Sequence, residues 1–250
     1  MKFSILTSSY NNENYLEGWL NSVIKQSFRP LEVVFVNDNS SDKTYSKISK
    51  IESALSKVDI EFKFINNEKR FHYGTCCKIA FENSSGDIMC HLDSDDELSY
   101  DCVTDIVEKY NANPTIGYMW TQFNIHGEKM QFRSKGFSRM VKSGESILSM
   151  GINKIHTASH LRTFSRRVPS LSKLWKDGLR SSVDKYMFYR LEEQAIGGFW
   201  NKVCYNYRYG NPNAISKSEP AMKNWEIVKK EAVDRRKKYN LKAHKIVEIK

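Results

Sequence analysis

Residues 3–42 read FSILTSSYNNENYLEGWLNSVIKQSFRPLEVVFVNDNSSD, and residues 86–97 read GDIMCHLDSDDE. The first stretch opens with an apolar run at 3–6 that ends in a polar loop, Thr7 to Asn12. Leu16, Trp19, Leu20, Val23 and Ile24 then recur at helical spacing, and Pro30 marks the helix's end. The β-branched run at 31–36 follows and stops at Asn37–Asp42, a concentrated turn and cap signal. The second stretch repeats the unit: a strand from Asp87 to Leu92 runs straight into Asp93-Ser94-Asp95-Asp96-Glu97.

The same alternation fills the chain between and beyond. Tyr45, Ile48, Ile51 and Leu55 predict a helix, 60–65 a strand, 75–84 a helix, and Val103, Ile106, Val107 and Tyr110 another helix. Strands alternating with helices predict an α/β fold with a mostly parallel sheet covered on both faces. Ligands of such sheets bind beyond the carboxyl ends of the strands. Three polar clusters fall at those ends: 7–12, 37–42 and 93–97.

After about residue 114 the pattern loosens. Ile116–Ile125 reads as an aromatic strand, Glu145–Met150 as a short helix, His156–Phe164 as mixed, Ser182–Ala195 as a helix and Phe199–Tyr209 as a tyrosine-rich strand. From Glu219 a basic helix carries Trp225, Val228 and Ala232 in register. Soft divisions near 110 and 217 separate an alternating first half (1–110), a smaller α+β half (111–216) and a basic helical tail (217–250), with 1–216 as a single domain.

The net charge is +10, yet residues 217–250 hold 11 Lys+Arg against 5 Asp+Glu. The excess therefore belongs mostly to the tail. That weakens a nucleic-acid reading of the body and leaves peripheral contact with an anionic membrane as one role for the tail. Five cysteines, Cys76, Cys77, Cys90, Cys102 and Cys204, are odd in number and form no Cys-x-x-Cys, which fits reduced thiols in a cytoplasmic setting. No signal peptide or membrane span is expected.

The acidic loop is the sharpest chemical feature. Asp93, Asp95 and Asp96 repel one another unless a cation is present. Hard divalent ions take carboxylate oxygens and keep positions open for water and phosphate, so a nucleoside diphosphate with Mn²⁺ or Mg²⁺ is the natural partner. An EF-hand is excluded, because Leu98 stands where that loop needs glycine and Thr104 at its twelfth position. The alternative is an acidic cap on the following helix.

Together these stretches resemble family 2 glycosyltransferases of the GT-A fold: a strand and Tyr-Asn loop, a helix closed by Gln26-Ser27-Phe28, a strand ending Asn37-Asp38-Asn39-Ser40, and Gly-Asp, a strand and Leu-Asp-x-Asp-Asp. The likeness covers residues 3 to about 110 and continues more weakly to about 216. It implies that Ser8, Ser9 and Tyr10 hold the nucleoside, with Tyr10 against uracil, and that Asp38 accepts from the uracil imide. The family's usual Asp before it is Asn37 here. Arg70 and Lys78 fall where the family places groups near the diphosphate or base. Asp93 and Ser94 are assigned by the likeness to the donor's ribose or sugar, and Asp95 with Asp96 to the metal.

Inverting members carry a carboxylate at the start of a helix in the acceptor half, and Asp184 matches it, although Val183 replaces the usual preceding Glu. A carboxylate in a first helical turn stays ionised, as a general base must, although the same position also suits a plain helix cap. His156, His160 and Tyr207 are acceptor-side candidates; the i, i+4 histidines sit in a segment too strand-like to favour zinc. The tyrosines of the closing strand either stack on an acceptor or cover the core. The implied activity is inverting transfer of a single sugar from a UDP-sugar, UDP-glucose or a similar hexose, to a glycan, lipid-linked or small-molecule hydroxyl. A Gln-x-x-Arg-Trp motif, the mark of the family's processive synthases, is missing. A nucleotide-sugar-binding protein without transfer, a nucleotidyltransferase and, more remotely, a nucleic-acid-binding protein are the rival readings.

Overall fold

A computed structural model of the chain describes residues 1–149, 158–212 and 220–250. Its first half alternates as the hydrophobic pattern requires: β1 (Phe3–Ser9), α1 (Leu16–Ile24), β2 (Leu31–Asn37), α2 (Ile48–Ser56), β3 (Ile60–Asn66), α3 (His72–Glu82), β4 (Ile88–His91), the two-residue β5 (Glu97–Leu98) and α4 (Cys102–Ala112). The second half adds β6 (Ile116–His126), β7 (Phe132–Lys135), β8 (Arg162–Ser165), α5 (Val183–Glu192), β9 (Ile196–Arg208), α6 (Pro220–Tyr239) and β10 (Ile246–Ile249).

One sheet runs through both halves in the order β10-β9-β6-β8-β4-β1-β2-β3, with β5 on β9 and β7 on β6. β1, β2, β3 and β4 are mutually parallel, as are β6, β9 and β10; β8 joins the two sets by pairing antiparallel to both β4 and β6.

Strand alternation sends side chains to two cores. Phe3, Ile5, Val33 and Phe35 pack with Trp19, Ile51 and Ile106 on one face, whereas Leu6, Val34 and Val36 meet Cys76, Ala80, Phe188 and Trp225 on the other. The turn after α1 is tied down by specific bonds. Gln26 donates to the Ser99 carbonyl at 3.0 Å and accepts from the Val103 amide at 3.1 Å, and Asp101 accepts from the Ser27 amide at 2.8 Å.

Two expectations change. The short helix expected from Glu145 is, over its described residues to Ser149, a single turn at 147–148 leading into 3-10 conformation at Ser149. The amides of Ile147 and Leu148 donate to the Glu192 carboxylate of α5, at 2.6 and 3.4 Å. The basic segment also does more than form a helix. Trp225, Val228 and Ala232 of α6 are buried in the second core, and β10 extends the sheet beside β9. Arg235 and Arg236 pair with the buried Glu192 and Glu193 at 2.7–3.2 Å. Among the described residues no helix is long and apolar enough to cross a membrane.

Candidate active site

The ends of β1, β2 and β4 open onto one crevice, as the topology demands. After β4 the chain turns through the acidic loop, and each carboxylate there has its own partners. The Asp93 carboxylate accepts from the Tyr73 hydroxyl at 2.6 Å and from the Arg162 guanidinium at 2.9 Å. Burial works against its charged form, yet Arg162 holds its carboxyl below the ordinary range. Asp95 is half-buried and accepts from the Asn211 side chain at 2.6 Å. Burial, reinforced by the Asp93 charge, pushes its carboxyl up to about 6. A carboxylate so disfavoured in its charged form gains from a neighbouring cation.

Asp96 differs from the expectation that it joins Asp95 at a metal. It is buried and turned inward, accepting from the Arg208 amide and the Tyr205 hydroxyl, each at 2.6 Å. Its two oxygens anchor the loop to β9. Ser94 is likewise held from below, by the Asn12 side chain at 2.7 Å, and Asn211 reaches Asn12 at 3.2 Å. Arg208 completes the brace, donating to the Asp95 carbonyl at 2.7 Å and pairing with Glu97 at 3.2 Å.

On the nucleoside side, Ser8, Ser9 and Tyr10 lie at the end of β1. The Ser9 hydroxyl is buried without a hydrogen-bond partner among the described residues. The Arg70 guanidinium lies 3.6 Å from the centre of the Tyr10 ring, so these two candidates meet face to face. Asp38 is buried and caps α3, accepting from the Phe71 and His72 amides at 2.8 Å and from Asn67 at 3.0 Å. Lys78 stands apart from this group, paired with Asp177 at 3.0 Å on the outer surface.

Asp184 is the second residue of α5, where helix amides favour a negative charge. It lines one recess with Tyr73, His91, Arg162 and Met187. The two side chains that hold Asp93 thus share a recess with the candidate base. His160 is half-buried between Tyr205 and Tyr207, with ring centres 4.4 and 5.5 Å away. Burial, with help from the Arg162 charge, brings both His160 and His91 down to about 3, so both rings are neutral. His156 lies outside the described residues.

Arg162, Tyr73 and Asn211 escaped the reading of the sequence, and Asn12 entered it only as the end of the 7–12 loop. Each acts across a long chain separation, and Arg162 sits in a strand whose pattern is mixed. Only Tyr205 and Arg208 left a trace, in the tyrosine-rich closing run.

This sheet order, with an acidic loop at the crevice and a carboxylate from a later helix beside it, is that of the GT-A glycosyltransferases. The chain belongs to glycosyl transferase family 2, whose profile matches residues 4–170. It is similar to a chondroitin synthase of Pasteurella multocida (strain Pm70), 26% identical over 95% of this chain and 24% of that protein. A hyaluronan synthase of Pasteurella multocida is likewise 26% identical, over 93% of this chain and 23% of its own length. The chain therefore spans about a quarter of those relatives' length. Among solved structures, Staphylococcus aureus TarS 1–349 in complex with UDP-GlcNAc superposes with a TM-score of 0.72 at 18% identity, covering 94% of this chain and 66% of that one. The mannosyltransferase PcManGT from Pyrobaculum calidifontis, with GDP-Man and Mn²⁺, gives 0.59 at 16% identity over 84% and 58%.

Proposed function

We propose that this chain transfers a single sugar from a UDP-sugar to an acceptor hydroxyl, with inversion at the anomeric carbon and with Mn²⁺ or Mg²⁺ at the acidic loop. The observation that carries the proposal is the shared recess: Asp184 faces the same space as Arg162 and Tyr73, which hold Asp93. The charges of Asp93 and Asp184 thus both act on Arg162.

The donor set suits a hard divalent ion. Asp95 offers a carboxylate destabilised by burial and by Asp93. Among the described residues no three acidic, His or Cys side chains converge, so an ion held by Asp95 would take the rest of its shell from phosphate oxygens and water. Such an ion, when bound, neutralises charge on the departing diphosphate.

The residues divide the remaining work. Arg70 stacked on the Tyr10 ring adds a cation to an aromatic face suited to a base, and the orphaned Ser9 hydroxyl offers a bond to the nucleoside. Asp93, held by Arg162 and Tyr73, is placed for hydroxyls of the ribose or sugar. An acceptor hydroxyl attacks the anomeric carbon, Asp184 takes its proton, and the bond to the nucleotide's phosphate oxygen breaks on the opposite side. The UDP assignment draws support from the TarS complex with UDP-GlcNAc.

A panel of UDP- and GDP-sugars, including glucose and N-acetylhexosamine donors, assayed for nucleotide release with Mn²⁺, tests this reading. Release from a UDP-sugar is expected, and Asp95→Asn should reduce it by at least about a hundredfold, the loss typical when a charged catalytic group is removed. No binding or release with any donor at millimolar metal would overturn it.

A further inference from the structure

The hairpin of β6 and β7 carries a surface that the donor chemistry does not use. β7 is exposed along its whole length. Phe132, Phe137 and Tyr209 are 61%, 51% and 52% exposed, a high density of large rings for one face of a small protein. Lys129, Arg133 and Lys135 are interleaved with them, all exposed, and among the described residues none of these three cations is in an ion pair. Arg133 lies over the Tyr209 ring at 5.3 Å. The turn's one acid is Glu128.

This surface is joined to the site by touching rings. Phe137 meets Phe123 edge-on at 5.3 Å, Phe123 meets His160 at 5.4 Å, and His160 stacks on Tyr205 at 4.4 Å. The Tyr205 hydroxyl is bonded to Asp96 at 2.6 Å and lies 3.4 Å from Asp93. Tyr209 follows Arg208, which braces the acidic loop. The rings are also half-packed against the sheet, Phe132 on His126 at 5.9 Å and Phe137 on Phe123, rather than projecting as a membrane wedge.

We propose that the face formed by β7, the following Phe137 and Tyr209 is an acceptor-binding surface, and that its ligand is an anionic glycan. Sugar rings would lie on Phe132, Phe137 and Tyr209, and carboxylate or sulfate groups would be met by Lys129, Arg133 and Lys135. Rings supply contact area at little entropic cost, and unpaired cations supply the charge selection. The proposal rests on the transferase reading above and names the acceptor class for the same crevice. It also accounts for a basic patch beside an acidic loop: the loop takes a diphosphate only with a cation, whereas the patch takes an anion directly.

The test is calorimetric binding to the full chain, with UDP and Mn²⁺ measured in parallel. The probes are a hexuronate-containing oligosaccharide, a neutral oligosaccharide of equal length, and phosphatidylglycerol vesicles. The account predicts that the charged oligosaccharide binds more tightly than the neutral one and loses affinity with salt. Arg133→Ala with Lys135→Ala should weaken it at least about tenfold while UDP binding is unchanged. Phe132→Ala should weaken both oligosaccharides. Equal affinity for the two oligosaccharides, an unaffected double variant, or binding to vesicles alone would overturn the proposal. Failure of UDP to bind in both proteins would count against the transferase reading, separately from these outcomes.

Discussion

Arg162 has a side chain only 6% exposed, and its guanidinium is 2.9 Å from Asp93. A buried cation is tolerated only with a partner, and here the partner is the donor-side carboxylate. Replacing Arg162 by Ala leaves Asp93 crowded by Asp95 and Asp96 without compensation. The expected loss is about 3 kcal/mol of stability, the low end for breaking a buried pair because Asp93 is partly exposed. Nucleotide release should fall with it; a urea midpoint within error of the parent would contradict this.

Glu32 makes a second residue-scale case. It is fully buried, and burial alone would raise its pKa. Bonds from the Ser4 hydroxyl and the Ser85 amide, then from Lys2 and Lys63, bring it instead down to about 2. Its folded pKa is thus below the unfolded value near 4.5. The stabilisation is therefore complete above about pH 4.5 and is lost as pH falls toward 2. The shift corresponds to roughly 3 kcal/mol. Urea unfolding at pH 6 and pH 3 should show that Glu32→Gln loses much less stability on acidification than the parent. Equal acid sensitivity would exclude this cluster as a source of it.

At the scale of elements, the helix α6 is where the charge pattern misleads and the hydrophobic pattern does not. Trp225 is 5% exposed and donates from its indole to the Tyr189 hydroxyl at 2.9 Å. Trp225→Ala should cost about 3–5 kcal/mol, in the range for large-to-small core changes. A surface helix would lose almost nothing, so a denaturant midpoint decides the matter. The strands and helices up to about residue 112 were legible because each carries its own period and its own turn signal. Leu16 to Ile24 and Leu31 to Val36 are examples. β8, β10 and the start of α3 were not legible, because partners distant in sequence decide them. β8 is a strand by virtue of lying between β4 and β6, and α3 begins at His72 because Asp38 accepts the first amides.

Over the whole molecule, the candidate site divides along the same line. Asp93, Asp95 and Asp184 were legible because a local cluster or a helix start announces them. Their holders, Arg162, Tyr73, Asn211 and Arg208, come from elements that meet only in the fold. The charge of +10 also changes meaning. Arg235 and Arg236 are spent on Glu192 and Glu193 inside the protein, whereas Lys129, Arg133 and Lys135 of the β6–β7 hairpin are exposed and in no ion pair among the described residues. In the proposed mechanism a metal-assisted donor side is joined to a base on α5 through Arg162 and Tyr73. The most direct test is Asp184→Asn, with UDP binding measured by calorimetry and sugar transfer by nucleotide release in the presence of acceptor. UDP affinity within about twofold of the parent, with transfer reduced by at least about a hundredfold, is the predicted result for loss of a general base. Undiminished transfer, or loss of UDP binding together with transfer, would contradict it.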